Sequence, residues 1–577
     1  MTVLRRYAPF LLLAIAQLFL VIVVPSRAPK PGTVAAFGGG GGSGVGPGGG
    51  ATDAGGAAGS GPAGSAAPGS PGATASGGST ATGGTGGGAS AAGPVPGGGI
   101  RLPSGQVVAA GDTSHCKGGK QFDDSVFPSG TASPPCTPAF GGNNGGTTSP
   151  GVTSTAIELV YYRPQENQAV DAALQTQGLY AAPADEKAAI QKFVDWANSH
   201  FELFGRKIHL DYYQGNCAYA PVDAACLRNE AGTVVSQLHP FAIVWATQVA
   251  PEFFDEYSRR GVVNMGGWHF DDSFANQRRP YHYDVFMGGT FQSSLTGEFW
   301  CKALAGKPAR FAGTTLKTKT RKAAILVPDS PTFSSTGQEL ANNIKACDHN
   351  GAEVVTYSQD TSTAAEQATG QVAKLKGDGV TSIMCVCDPI APSYFTKAAT
   401  SQAFFPEHVI VGSGLIDYDP LGRLYDAQQW AHAFGLSDLT NPVAFESSDA
   451  AIAWRQAGGA GSPSDRGANL PFAYIAFLGY TLNTAGPNLT PGSFESAVLN
   501  APARNVYSQS HDPKKSELYA HAGKYNLIAD ARMVYWDPNA TSQIDGKQGA
   551  YVPLNGGARY TYGQVPNGEP GGIPSRA

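Results

Sequence analysis

Hydrophobic and polar positions fall into a repeating alternation over most of the chain. Ile157–Tyr162 is almost wholly apolar, and Ile190, Phe193, Val194, Ala197, Phe201 and Phe204 then recur at helical spacing within Glu186–Phe204. The same reading predicts strands at Ile208–Tyr213, Phe241–Trp245, Val262–Met265 and Tyr283–Met287, with helices at Pro221–Leu238 and Pro251–Arg260 between them. Gly306–Arg321 is polar and rich in Lys and Arg, and reads as a crossover. A second series follows, with strands at Ala323–Val327, Glu353–Tyr357, Val380–Val386 and Val409–Val411. Its helices are expected at Gly337–Asn350, Thr363–Lys376 and Pro392–Gln402. Continuous apolar strands alternating with helices predict α/β architecture, with parallel sheets covered on both faces.

Two more helices are expected at Ser448–Gln456 and Pro471–Asn483, the second apolar almost all round and therefore buried. Thr490-Pro491 supplies an N-cap and a first-turn proline for a helix running to Leu499. Alternation over Asn526–Trp536 predicts hairpin strands, and the Gly/Pro-rich stretch 555–577 reads as a loose tail.

Composition changes the picture at the other end. Between Pro31 and Ile100 lie 29 of the 76 glycines but only one charged residue, Asp53, and one aromatic, Phe37. Such a stretch has too little apolar side chain to offset the entropy of ordering it, so residues 29–100 read as a disordered linker. Ahead of it, Arg5 and Arg6 precede an apolar run from Tyr7 to Val24, and Ser26-Arg27-Ala28 offers small residues where a signal peptidase reads. Residues 1–28 are thus expected to be a cleaved signal peptide or an uncleaved membrane anchor; both imply an exported, extracytoplasmic protein, secreted or tethered to the outer face of the membrane.

Export makes the eight cysteines legible as disulfides. Cys116 with Cys136 would staple the otherwise loose segment 101–150, and Cys217 with Cys226 would close a short strand-to-helix loop. Cys301, Cys347, Cys385 and Cys387 stay unassigned; Cys385 and Cys387 share one face of a predicted strand, where a direct bridge is strained. A net charge of −5, with no basic run interleaved with aromatics, argues against nucleic acid as a partner.

Several of these segments together resemble the type I solute-binding proteins of the leucine/isoleucine/valine-binding group. Gly151-Val152-Thr153 before Ile157–Tyr162 is similar to that family's opening. Ala323–Asp329, Phe333–Leu340 and Gly351–Val355 are similar to its strand, loop, helix and second strand, and Gly379–Ile383 leading to Asp388-Pro389 continues the likeness. Pro406–Ile410, and Tyr474–Gly486 followed by Thr490–Leu499, extend it, so that it covers roughly residues 150–540; segment 111–140 resembles an extension of secreted actinobacterial members. The resemblance implies two Rossmann-like lobes with parallel sheets joined by a three-strand hinge, the periplasmic binding protein type I fold. Lobe one would be 151–315 plus 437–505, and lobe two 318–436 plus 515–554. It implies a non-enzymatic protein that closes on a small organic ligand (amino acid, amide, or aromatic or hydrophobic compound) and delivers it to an ABC transporter permease. The rival reading is a membrane-tethered ligand-sensing or partner-binding ectodomain.

In such sheets ligands sit beyond the carboxyl ends of the strands. That singles out Thr247 and Gln248 after one strand, and Trp268 after Gly266-Gly267, from lobe one. From lobe two it singles out Phe333, Asp388 and Asp417, the last as the acid that would pair an amino-acid ammonium. Each has a plainer reading: Thr247 as a helix cap, Trp268 as core, Asp388 as a turn residue before Pro389. Only one small hydroxyl residue lies in Trp245–Gln248, which weighs against an α-amino acid as the ligand. No catalytic residue, cofactor or metal is expected. Gly412-Ser413-Gly414 lacks nucleophile-elbow spacing, and the dense group His269, Asp271, Asp272, His282 and Asp284 reads as surface loop.

Overall fold

Two parallel sheets carry the fold, and their strands follow the same order. The computed structural model describes residues 98–128, 131–218, 222–246, 250–268, 270–502 and 525–574, so the expected signal or anchor and almost all of the linker lie outside the described residues. In the first sheet β1 (Ala156–Arg163), β2 (Lys207–Gln214), β3 (Ala242–Val244), β4 (Val263–Met265) and β5 (His282–Tyr283) run parallel in the order β2-β1-β3-β4-β5. In the second, β6 (Ala323–Pro328), β7 (Ala352–Tyr357), β8 (Ser382–Cys385), β9 (Glu407–Ile410) and β10 (Ala433–Ser437) run parallel as β7-β6-β8-β9-β10. Antiparallel β11 (Ala531–Thr541) extends that sheet beside β10, and β12 (Gln548–Pro553) and β13 (Arg559–Tyr560) both pair with it. All of β3, β4 and β6 is buried, as strands with helices on both faces must be. The fold is the two-lobed α/β architecture expected.

The chain passes between the sheets three times. The first passage is 305–322. The second follows β10: helices Asp449–Gln456, Asn469–Ala485 and Pro491–Leu499 return to the first sheet. There Trp196 Nε1 donates to Gln456 Oε1 (2.8 Å), and Phe193 and Trp196 meet Phe472 edge-on. The third passage leads from Asn526, which bridges Asp284 beside the first sheet, to β11. Thr490 caps its helix through a reciprocal capping box with Ser493.

Three expectations change. Strand β5 stops at Tyr283 rather than Met287, because the returning chain takes over the pairing: Asp284 N donates to Tyr525 O and Leu527 N to Asp284 O. The helix expected to reach Phe204 is Pro183–His200; Phe201 is extended and Phe204 left-handed (φ 57°), yet both remain buried, so apolar spacing outlived the helix. The tail is not loose as far as Pro574: Glu298 accepts from Gly563 N and Val565 N, and Glu569 pairs with Arg310 and Arg321.

All eight cysteines are paired, as Cys116–Cys136, Cys217–Cys226, Cys301–Cys347 and Cys385–Cys387. The last pair forms because β8 ends at Cys385; the chain leaves the extended ladder there, and the two Cα atoms approach to 5.1 Å. Segment 101–150 sits on the first lobe, with Phe122 and Phe127 edge-on to Trp196.

Arg321, at the end of the first passage, is fully buried against an equally buried Glu407 at the start of β9, with Nε–Oε2 2.8 Å and Nη2–Oε1 2.9 Å. Glu407 also accepts from Phe311 N and Ser382 Oγ, and Arg321 Nη1 reaches Glu569 at 2.7 Å. Removing one member strands the other without water. Arg321→Ala is therefore expected to lower stability by about 3–5 kcal/mol in urea denaturation, and Arg321→Met with Glu407→Leu to recover part of it.

Burial also lowers the pKa of His282 to about 3 and of His408 to about 4. Both rings are neutral when folded and protonate near pH 6.5 only when unfolded. Their contribution to stability is intact above about pH 6.5 and is lost as pH falls towards 4. Denaturation midpoints should drop across that window, and His408→Gln should flatten part of the slope.

Candidate functional site

A cavity of about 530 Å³ lies where the carboxyl ends of both sheets meet. From the first sheet it is walled by Tyr161–Arg163 at the end of β1 and Pro164–Glu166 beyond it, Trp245 and Ala246 beyond β3, Trp268 beyond β4, and Val285 and Phe286 beyond β5. The second contributes Tyr357–Gln359 beyond β7, Asp388–Ala391 beyond β8, Leu415 and Asp417–Asp419 beyond β9, and Leu439–Val443 beyond β10. The location follows from strand order: in each sheet the chain reverses direction of growth between its first and third strands, which leaves a crevice at their carboxyl ends.

Trp268, Asp388 and Asp417 line this cavity. Trp268 is held by its indole N–H, which donates to Ala246 O at 2.6 Å. Gly266 and Gly267 precede it at φ 137° and 106°, and a Cβ on Gly266 would come within 2.4 Å of Trp245 O. The two glycines thus let the loop fold back tightly enough to lay the ring over the cavity. Asp388 organises its own loop: Oδ1 accepts from Ile390 N (2.8 Å) and Ala391 N (3.0 Å), and Tyr357 Oη donates to Oδ2 at 2.5 Å. Burial, reinforced by that carboxylate, pushes the Tyr357 hydroxyl well above the usual phenol range. Asp388 is therefore a turn residue and a wall residue together. Asp417 is a buried wall residue, 3% exposed.

Phe333 does not line the cavity; it is buried and packs edge-on to Phe270. Thr247 and Gln248 lie outside the described residues, next to the wall residue Ala246. The His/Asp group separates into individual structural duties: Asp271 caps Asp272–Gln277 through Phe274 N, His282 Nδ1 meets Asn264 Oδ1 at 2.9 Å, and Asp284 accepts from Tyr474. His269 is outside the described residues. Among the described residues, Glu158, His209 and Asp211 come close enough to share a metal ion, on β1 and edge strand β2 and away from the cavity.

Sequence reading missed the polar part of the wall. Arg163, the last residue of β1, forms an ion pair with Glu186 (2.7 Å), to which Tyr212 Oη also donates (2.5 Å). The rule that ligands sit beyond strand ends would have found Arg163. Nothing local marks Asp465, about 300 residues away, which burial raises to about 7 despite the hydrogen bond it accepts from Gly467 N. Neighbouring Arg466 lies 5.9 Å from the Phe445 ring and donates to Ile544 O.

No family model and no curated protein matches the chain. Among solved structures it is similar to a solute-binding protein of an ABC transporter from R. palustris in complex with 4-hydroxybenzoate, at 12% identity and a TM-score of 0.49, covering 71% of this chain and 98% of that one. It is also similar to a fatty acid ABC transporter substrate-binding protein from Thermomonospora curvata, at 14% identity and a TM-score of 0.49, covering 73% and 97%. A third is a branched-chain amino acid transporter substrate-binding protein from Streptococcus pneumoniae in complex with isoleucine, at 14% identity and a TM-score of 0.45, covering 69% and 100%.

Since Phe333 is core and not wall, Phe333→Ala is expected to lower stability by about 3–5 kcal/mol while leaving ligand affinity unchanged. Calorimetric unfolding and a binding titration on the same sample separate the two effects.

Proposed function

We propose that the chain is a non-enzymatic, extracytoplasmic solute-binding protein that closes around a small organic ligand and delivers it to an ABC transporter permease. The observation that carries this reading is the cavity built from the strand ends of both sheets, each contributing at least three loops to one wall. A ligand there touches both lobes only when they are together, so its binding free energy favours the closed state. The three chain passages between the sheets are where hinge bending is proposed to occur. Four disulfides fit the oxidising compartment that the N-terminal segment implies. Trp268, Asp388 and Asp417 are the wall residues proposed to contact the ligand, and Thr247 and Gln248 remain proposed on their position after β3.

The test is a thermal-unfolding screen of ligand-free protein against amino acids, amides, aromatic acids and aliphatic compounds, followed by solution scattering. A true ligand at a hundredfold over Kd adds about 2.7 kcal/mol to stability. It should also shrink the radius of gyration, and Trp268→Ala should weaken it. Well-folded, ligand-free protein that responds to no compound would overturn delivery and favour the tethered, partner-binding ectodomain.

A further inference from the structure

The helix Asn469–Ala485 is buried along nearly its whole length, and yet three apolar residues on it, Leu470, Ala473 and Ala476, keep partial exposure. They are spaced by three, so they form one stripe, and the surface they face is the cavity, not bulk solvent. Phe477, Tyr480 and Thr481 continue that lining, so the cavity follows the helix from Leu470 to Thr481. At the helical rise this is about 16 Å, roughly the length of a twelve-carbon chain. The lining also includes the apolar residues Trp268, Val285 and Phe286 from beyond the first sheet's strands, and Val498, Ala501 and Leu527 from the segments that follow the helix. Charged lining residues include Asp465 and Arg466, which immediately precede the helix at its Leu470 end, and Arg163, Glu186 and Asp417 from the strand-end loops and the helix Pro183–His200.

A free amino acid would fill only the polar mouth and leave this apolar run unoccupied. We infer that the ligand is an elongated amphipath, an acyl or alkyl chain of about twelve carbons lying along the Asn469–Ala485 helix with its polar end at the mouth between the lobes. The inference rests on the proposed solute-binding role and narrows its ligand class. The energy comes from apolar surface removed from water, which scales with chain length, whereas the polar end fixes orientation.

The test uses the full chain, stripped of bound lipid, in displacement titrations with straight-chain carboxylates and amines of six, eight, ten, twelve and sixteen carbons. Affinity in at least one head series should rise about fourfold per methylene, then level near twelve carbons. Ala476→Trp, placed on the exposed stripe, should weaken the twelve-carbon compound at least thirtyfold and the six-carbon compound no more than threefold. Ala473→Leu, a milder filling, guards against misfolding of the first variant and should lower the plateau length by one or two carbons. Tight binding of an amino acid or aromatic acid with no gain from chain length would overturn the amphipath and leave the solute-binding role standing. Failure of every compound, chain-bearing or not, would overturn both.

Discussion

One ion pair sealed from water holds the arrangement that everything else uses. Neither Arg321 nor Glu407 has measurable exposure, and the guanidinium spans the first passage between sheets, the foot of β9 and, through Glu569, the C-terminal segment. Charges taken out of water are retained only where geometry and additional hydrogen bonds compensate their desolvation. Here Phe311 N, Ser382 Oγ and Leu304 O complete the set. The pair acts less as glue than as a registration device. It leaves the passage one position on the second sheet, so a flexible polar crossover becomes a defined exit point for the chain.

With the crossover fixed, the order of the strands does the rest. Two sheets of the same order, each with its reversal between the first and third strands, present crevices of the same kind. The walls of the shared cavity come from the loops that follow the strands and from the helix Asn469–Ala485. Asp388 and Trp268 are each held by bonds that include a neighbouring strand-end segment: Asp388 by its own loop and by Tyr357, Trp268 by Ala246.

How much of this the sequence discloses depends on the range of the interactions concerned. Strand β6, wholly apolar, and the Thr490 capping box are determined by near neighbours, and both were legible. Trp268 and Asp388 were legible as loop residues beyond strand ends, since that rule needs only strand positions. Phe333 was misplaced because a phenylalanine after a strand looks the same facing a cavity or facing Phe270. Arg321 read as part of a polar crossover because its partners lie at positions 407 and 569, and the shortening of β5 depended on Tyr525 and Leu527 arriving from a distant part of the chain. The apolar stripe of the Asn469–Ala485 helix was concealed by the uniformity of that helix: a segment apolar on every side gives no sign of which side faces a void.

The outermost strand of the first sheet bears on a different question. Among the described residues β2 is the edge strand of its sheet, and the N–H and C=O groups it does not spend on β1 are a template on which another extended chain can assemble, except at Ile208, where the Asn198 side chain bonds both. Its sequence answers that hazard: Lys207 and His209 point outward and exposed, and His209 is tied to Glu158 on the adjoining strand by a 2.7 Å contact that raises its pKa. In the second sheet the β11–β12 hairpin pairs beside β10 and extends the sheet on that side. The first sheet thus carries a local defence against sheet-to-sheet aggregation, built from charge on its outer strand and from the Asn198 side chain bonded to that strand's backbone.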